Sequence, residues 1–187
     1  PVGTTPVTWT VTDIHGNTST CVQNITVTDE ENPTISCSVS SQTQTADAGV
    51  CQAAVTVVAP AVTDNTAVAS LTNDYNGTAD ASDTYPVGTT TVTWTVTDEH
   101  GNTSQCSQDV TVTDDEDPTI TCAGDQTQTA DAGEPNAAVV VNAPATSDNC
   151  GVAGIVNDFN NTADASGTYP VGTTPVTWTV TDIHGNT

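Results

Sequence analysis

The chain has 187 residues, of which 23 are Asp or Glu and none is Lys or Arg, so its formal charge is -23 at pH 7. A field of that sign repels nucleic acid and anionic membrane surfaces, both of which are bound through basic side chains. The same composition leaves trypsin no cleavage site and forbids Lys–Asn isopeptide cross-links, so rigidity must come from packing, disulfides or metal.

Taken in chain order, the first predicted element is "VTWTVT", where Val7, Trp9 and Val11 share one parity and Thr8, Thr10 and Thr12 the other. That is the period of two of a half-buried strand. "HGN" at 15–17 then reads as a hairpin turn with Gly supplying the positive φ. Val55, Val57 and Ala59 alternate next, and Pro60 is expected to end that strand. Val92, Trp94 and Val96 repeat the first pattern, followed by "HGN" at 100–102. Val139, Val141 and Ala143 before Pro144, then Val176, Trp178 and Val180 before "HGN" at 184–186, complete the series. Thr and Val in such runs are strand formers, which argues against the disorder usual for acidic chains. Nothing reads as helix, and no apolar stretch approaches the ~20 residues of a membrane span. No signal peptide is visible.

The elements recur because the sequence does. "PVGTTPVTWTVTDIHGNT" opens the chain and stands again unchanged at Pro170–Thr187, while the copy at Pro86–Thr103 differs only at Thr91 and Glu99. Starts at 1, 86 and 170 set a module of about 84 residues, and the closer match of first and third copies implies an alternating pair with a 169-residue period. The expected division is 1-28 as the last strands of a preceding module, 33-114 as a complete module, and 118-187 as a module without its last strand. The chain is thus read as a slice of a much longer array. Each module is expected to be an all-β sandwich of about seven strands, stacked end to end as a rod.

"YPVGTTTVTWTVTDEHGNTSQC", followed by "VTVTDDEDPTITC", together with "SDNCGVAG", resembles the hyalin repeat, or HYR domain. The resemblance covers the whole chain. It implies an immunoglobulin-like fold, an extracellular or cell-surface location and a role in adhesion or surface architecture, with no catalytic residues to carry over.

Comparing the modules with each other organises the six cysteines. Cys37 and Cys106 in one module correspond to Cys122 in the next and to Cys21 in the one before, so Cys122 is expected to pair with the next-period copy of Cys21. Cys37 shares parity with Ile35, and Cys106 with Val110 and Val112. In an immunoglobulin-like sandwich the first and last strands run side by side in parallel, which makes Cys37–Cys106 an intra-module bridge. Cys51 has Pro135 as its counterpart, and Cys150 has Thr66. Each module keeps one and lacks the other, and the two ends should meet at the junction, so an inter-module Cys51–Cys150 bridge is expected. Free or interchain thiols are the competing reading. Either points to an oxidising compartment.

The junctions carry the second candidate chemistry. "TDEENPT" and "TDDEDPT" place Asp29, Glu30, Glu31, Asn32 and then Asp114, Asp115, Glu116, Asp117 ahead of a proline. The loops with Asp64, Asn65, Asp98 and Asn102 should approach the first run, and those with Asp148, Asn149, Asp182 and Asn186 the second. Clustered carboxylates invite a cation, and oxygen ligands of this kind suit Ca2+. The plainer reading is that they cap turns and keep the linkers soluble.

His15, His100 and His184 read as turn residues; a Ser19–His15–Asp13 triad would lack an oxyanion pocket, so no enzyme is expected. The three Trp are expected in the core. Glycosylation sequons stand at Asn17, Asn24, Asn76, Asn102 and Asn160. The functional expectation is a stalk or filament segment of a surface adhesin or filament, whose partners are neighbouring modules and identical chains alongside. The alternative is a multivalent array binding glycan or matrix, which the Thr-covered outer positions and near-identical loops disfavour.

Overall fold

A computed structural model of the chain describes residues 2–37 and 41–187, and among these there is no helix. The strands are β1 (Gly3–Thr12), β2 (Thr18–Val27), β3 (Thr34–Ser36), β4 (Ser41–Thr45), β5 (Gln52–Val55), β6 (Ala61–Thr63), β7 (Val68–Asn73), β8 (Asp83–Pro86), β9 (Gly88–Asp98) and β10 (Thr103–Thr113). They continue with β11 (Thr119–Thr121), β12 (Asn136–Val139), β13 (Ala145–Ser147), β14 (Val152–Asn157), β15 (Gly167–Pro170) and β16 (Trp178–Asp182).

The second series repeats the first in register as well as in sequence. β7 pairs with β9 through a bulge between Val68 and Ser70, and β14 pairs with β16 through a bulge between Val152 and Gly154. β3–β6 and β5–β8 are matched by β11–β13 and β12–β15, all antiparallel. Among the described residues the one four-stranded sheet runs in the order β4-β10-β9-β7, and β10 meets β4 in parallel from Asp109↔Ser41 to Thr113↔Thr45. The counterpart of β4, around Gln126–Gln128, has no ladder partner among the described residues and is not a strand. It keeps the same side-chain anchors: Gln126 and Gln128 Nε2 donate to Val140 and Ala138 carbonyls, as Gln44 Nε2 does to Ala54.

Two compact units divide the chain. One gathers Pro1–Ser40, Val57–Ala81 and Thr91–Gln108; the other gathers Ser41–Thr56, Ser82–Thr90 and Asp109–Thr187. In the first, Val57, Ala81, Val92, Trp94 and Val96 are buried. In the second, Ala53, Val55, Tyr85, Val110, Val112, Ala137, Ala165 and Val180 are buried. Apolar residues of one parity thus face inward along β9 and β10, as alternation requires.

Two sequence expectations need correction. The strand expected to run to Pro60 stops at Val55: Val57 stays buried, but Val58 and Ala59 are exposed, so the alternation breaks before the proline. The three Trp do not share one environment. Trp94 is fully buried, Trp178 is half-buried and Trp9 is 59% exposed, because β1 and β2 pair only with each other among the described residues.

Candidate metal centre

Each "D-x-H-G-N" turn is built around its aspartate. Asp98 Oδ1 accepts the amides of His100 and Asn102, both at 2.8 Å, and Oδ2 accepts Asn102 Nδ2 at 2.7 Å. Gly101 takes a φ of 93°, a left-handed conformation that glycine adopts without steric penalty. Asp13 and Asp182 bind their turns in the same way. Asp98 and Asp182 are almost fully buried. Burial pushes both carboxyls up, but the hydrogen bonds from Asn102 and Asn186 and their turn amides outweigh it and hold both below the usual carboxylate value.

One linker aspartate docks onto each of the two later turns. Asp29 leaves 3% of its side chain exposed, with Oδ2 3.3 Å from His100 Nδ1. Asn102 Nδ2 also donates to its backbone carbonyl at 3.3 Å. The 64–66 loop closes the other side: Asn65 Nδ2 donates to Glu31 at 2.9 Å and Thr66 Oγ1 to Asp29 Oδ2 at 2.9 Å. The amide of Glu31 keeps Asp29 below its ordinary value against the opposing pull of burial, with Thr66 and Asn65 adding to the effect.

Asp114 repeats the arrangement with a fully buried side chain, its Oδ2 2.9 Å from His184 Nδ1. Asn186 Nδ2 reaches its carbonyl at 3.4 Å and Asn149 Nδ2 its Oδ1 at 3.1 Å. Asp114, Asp148 and Asp182 each bring a carboxylate oxygen within 4.8 Å of the others, and Asp29, Asp98 and His100 form the corresponding group in the earlier turn. Asp64 Oδ1, Asp148 Oδ1 and Asn149 Oδ1 are buried with no hydrogen-bond partner. Orphaned, solvent-excluded oxygens are a costly arrangement in a chain without Lys or Arg, and carboxylate and amide oxygens are the donor type that hard cations take.

The other linker acids go elsewhere. Glu116 Oε2 accepts the amide of Gly49 at 2.8 Å and Glu31 is taken by Asn65. Among the described residues, Glu30, Asp115 and Asp117 join neither group, and Asn32 makes no side-chain bond to these carboxylates. Side chains on an extended segment alternate between two sides, so Asp29 and Glu31 both reach the 64–66 loop while Glu30 between them joins neither group. His100 and His184, read as plain turn residues, prove to be contacts of the linker aspartates. Their recurrence two residues before "NT" in every copy was the available signal.

Two disulfides are present. Cys37–Cys106 has an S–S distance of 2.00 Å, and Cys51–Cys150 one of 2.06 Å across 99 residues of sequence. Cys21 and Cys122 are free and exposed. The HYR domain pattern matches residues 28–112 and again 113–187, everything but the first 27 residues. The chain belongs to the HYR domain family. It is 33% identical over 191 residues to hyalin of Strongylocentrotus purpuratus and 32% over 188 residues to hyalin of Lytechinus variegatus. Those alignments cover 100% and 98% of this chain but only 15% and 34% of the two hyalins. Asp29 and Asp114 are each the second residue of an HYR match, so each candidate centre lies within a single HYR repeat. Cys37–Cys106 lies inside the first repeat, whereas Cys51–Cys150 ties the first HYR repeat to the second.

Proposed function

We propose that this chain is a load-bearing segment of a long extracellular repeat protein, a stalk or filament at a cell surface. Its HYR modules are held to one another by the Cys51–Cys150 disulfide, and Ca2+ at the linker carboxylates stiffens each module where its first residues meet its loops. The observation that carries the reading is the Cys51–Cys150 bond, which joins residues of two successive repeats. A bond of that kind restrains a hinge and does nothing for catalysis. Two disulfides in a chain of this size belong to an oxidising compartment, which supports a location outside the cell. The long strands turn Thr outward in rows, such as Thr93, Thr95 and Thr97 on β9, with few acids among them. This uncharged, hydroxyl-covered face suits contact with identical chains alongside better than recognition of a varied ligand.

Electron cryo-microscopy of the native material, in Ca2+ and then in chelator, tests the reading. Thin filaments with an axial repeat of two modules, roughly 70–90 Å for strands of about 9–10 residues at ~3.3 Å each plus loops, are expected. Softening in chelator is expected with them. Short flexible or globular particles would overturn the stalk and turn the search to glycan or matrix ligands of single modules.

A further inference from the structure

Each HYR repeat carries one Asn-x-Thr sequon with x other than proline, and both stand on the same exposed turn. Asn76–Thr78 follows β7, and Asn160–Thr162 follows β14 at the equivalent place. Both asparagines and both threonines are exposed. The turns keep one geometry although their middle residues differ, Gly77 with a φ of 76° and Asn161 with a φ of 58°. Each asparagine oxygen is held from within its own sequon. Asn76 Oδ1 lies 3.2 Å from the Thr78 amide and 2.9 Å from its hydroxyl, and Asn160 Oδ1 lies 3.1 Å and 2.8 Å from the same groups of Thr162.

The nitrogen decides which sequons can carry a sugar once the chain is folded. A side-chain amide has two hydrogens, and an N-linked sugar replaces one of them. Among the described residues, Asn76 Nδ2 donates one bond, to the Asp80 carbonyl at 2.9 Å, and Asn160 Nδ2 one, to the Asp164 carbonyl at 2.7 Å. A substituted amide keeps that bond with its remaining hydrogen. Asn102 Nδ2 donates twice, to Asp98 Oδ2 at 2.7 Å and to the Asp29 carbonyl at 3.3 Å, from a half-buried side chain. A sugar there breaks one of the two bonds that fix the linker to its turn. The remaining sequons do not recur as open acceptors: Asn17 has Asn102 as its counterpart, and Asn24 has Asp109. Tyr75 and Phe159 stand immediately before the two open asparagines, and Phe159 is 37% exposed. An aromatic ring beside the acceptor offers apolar surface to the C–H groups of the first sugar.

We propose that Asn76 and Asn160 are N-glycosylation sites, one in each repeat and 84 residues apart (160 minus 76), and that Asn102 is closed to the sugar by its own hydrogen bonds. The donor is an oligosaccharide carried on a lipid diphosphate. Nδ2 attacks the anomeric carbon, the N–C bond forms, and the C–O bond to the diphosphate breaks. The lipid diphosphate leaves with the electron pair, and one amide proton passes to the base of the transferase. The inference rests on the extracellular location given above and is independent of the stalk. It places a neutral, hydrated group at a regular interval along a chain whose formal charge is -23.

Site mapping on the 187-residue chain secreted from animal cells tests this. Peptide N-glycosidase leaves aspartate where a sugar stood, and cleavage before aspartate puts Asn76, Asn102 and Asn160 on separate peptides, which trypsin would not. Conversion is expected at Asn76 and Asn160, with Asn102 unconverted in the disulfide-bonded product. Thr78→Ala should abolish the sugar at Asn76 and leave that at Asn160 in place, since the acceptor needs its hydroxyl residue. An unmodified Asn76 or Asn160, or an Asn102 converted as fully as they are, would overturn the assignment and leave the filament test untouched. A sugar-free native chain beside a modified secreted one would overturn the extracellular location, and this inference with it.

Discussion

Cys51 in the first HYR repeat and Cys150 in the second are joined sulfur to sulfur, with their Cα atoms 4.6 Å apart and 99 residues of chain between them. A loop of that length removes a large share of the unfolded chain's freedom, about 5 kcal/mol in the chain-entropy view. Replacing both cysteines with serine should lower stability by about 3–5 kcal/mol, read as a fall in Tm of roughly 10 °C. Calorimetry at one scan rate decides it. A shift of under ~2 °C would mean that the bond restrains a junction already rigid without it.

The opening hairpin and its buried copy supply a matched pair of substitutions. Trp9 and Trp94 stand in identical local sequence, "VTWTVT", yet one is 59% exposed and the other is fully buried. Trp94→Ala should cost about 3–5 kcal/mol, the usual effect of emptying an aromatic site in a core. Trp9→Ala in the same chain should cost below ~1 kcal/mol, since it loses an exposed ring and its 3.1 Å bond to Gln23. Urea denaturation followed by far-ultraviolet circular dichroism separates the two. Equal costs would show that the Trp9 face is covered in solution.

Acid should unfold the chain through its turns. Asp98 and Asp182 are held below the ordinary carboxylate value of 3.8 when folded, the hydrogen bonds from Asn102 and Asn186 and their turn amides outweighing burial. A depressed folded value means that the unfolded chain takes up protons first. Each turn then contributes stability that is complete above about pH 4 and disappears as pH falls through the lower folded value. Stability should be flat from neutrality to about pH 5 and fall steeply below pH 4. D98N, which keeps an acceptor at Oδ1 but cannot ionise, should be less stable at neutral pH and show a shallower acid slope. An unchanged slope would assign the acid sensitivity to other carboxylates.

Much of this was legible in the residues. Alternation in "VTWTVT" sets strands because side chains on a pleated backbone face opposite sides in turn, and three copies of that string set the repeat. The absence of Lys and Arg sets a negative field that repels nucleic acid. Comparing Cys51 with Pro135 and Cys150 with Thr66 showed an exchange between repeat types, since residues at equivalent places in tandem modules meet equivalent surroundings.

Contacts between distant segments could not be read the same way. Sequence treats Asp29, Glu30, Glu31 and Asn32 as one acidic run, but only the backbone path decides that Asp29 turns in to His100 while Glu30 stays out. Trp9 and Trp94 are indistinguishable as letters; what lies against each strand makes one core and the other surface. Local pattern, which depends on near neighbours along the chain, was determined by the sequence alone. Which oxygen is left buried without a partner depends on groups brought in from 35 to 70 residues away, as Asn149 and His184 are to Asp114, and only the tertiary structure decided that.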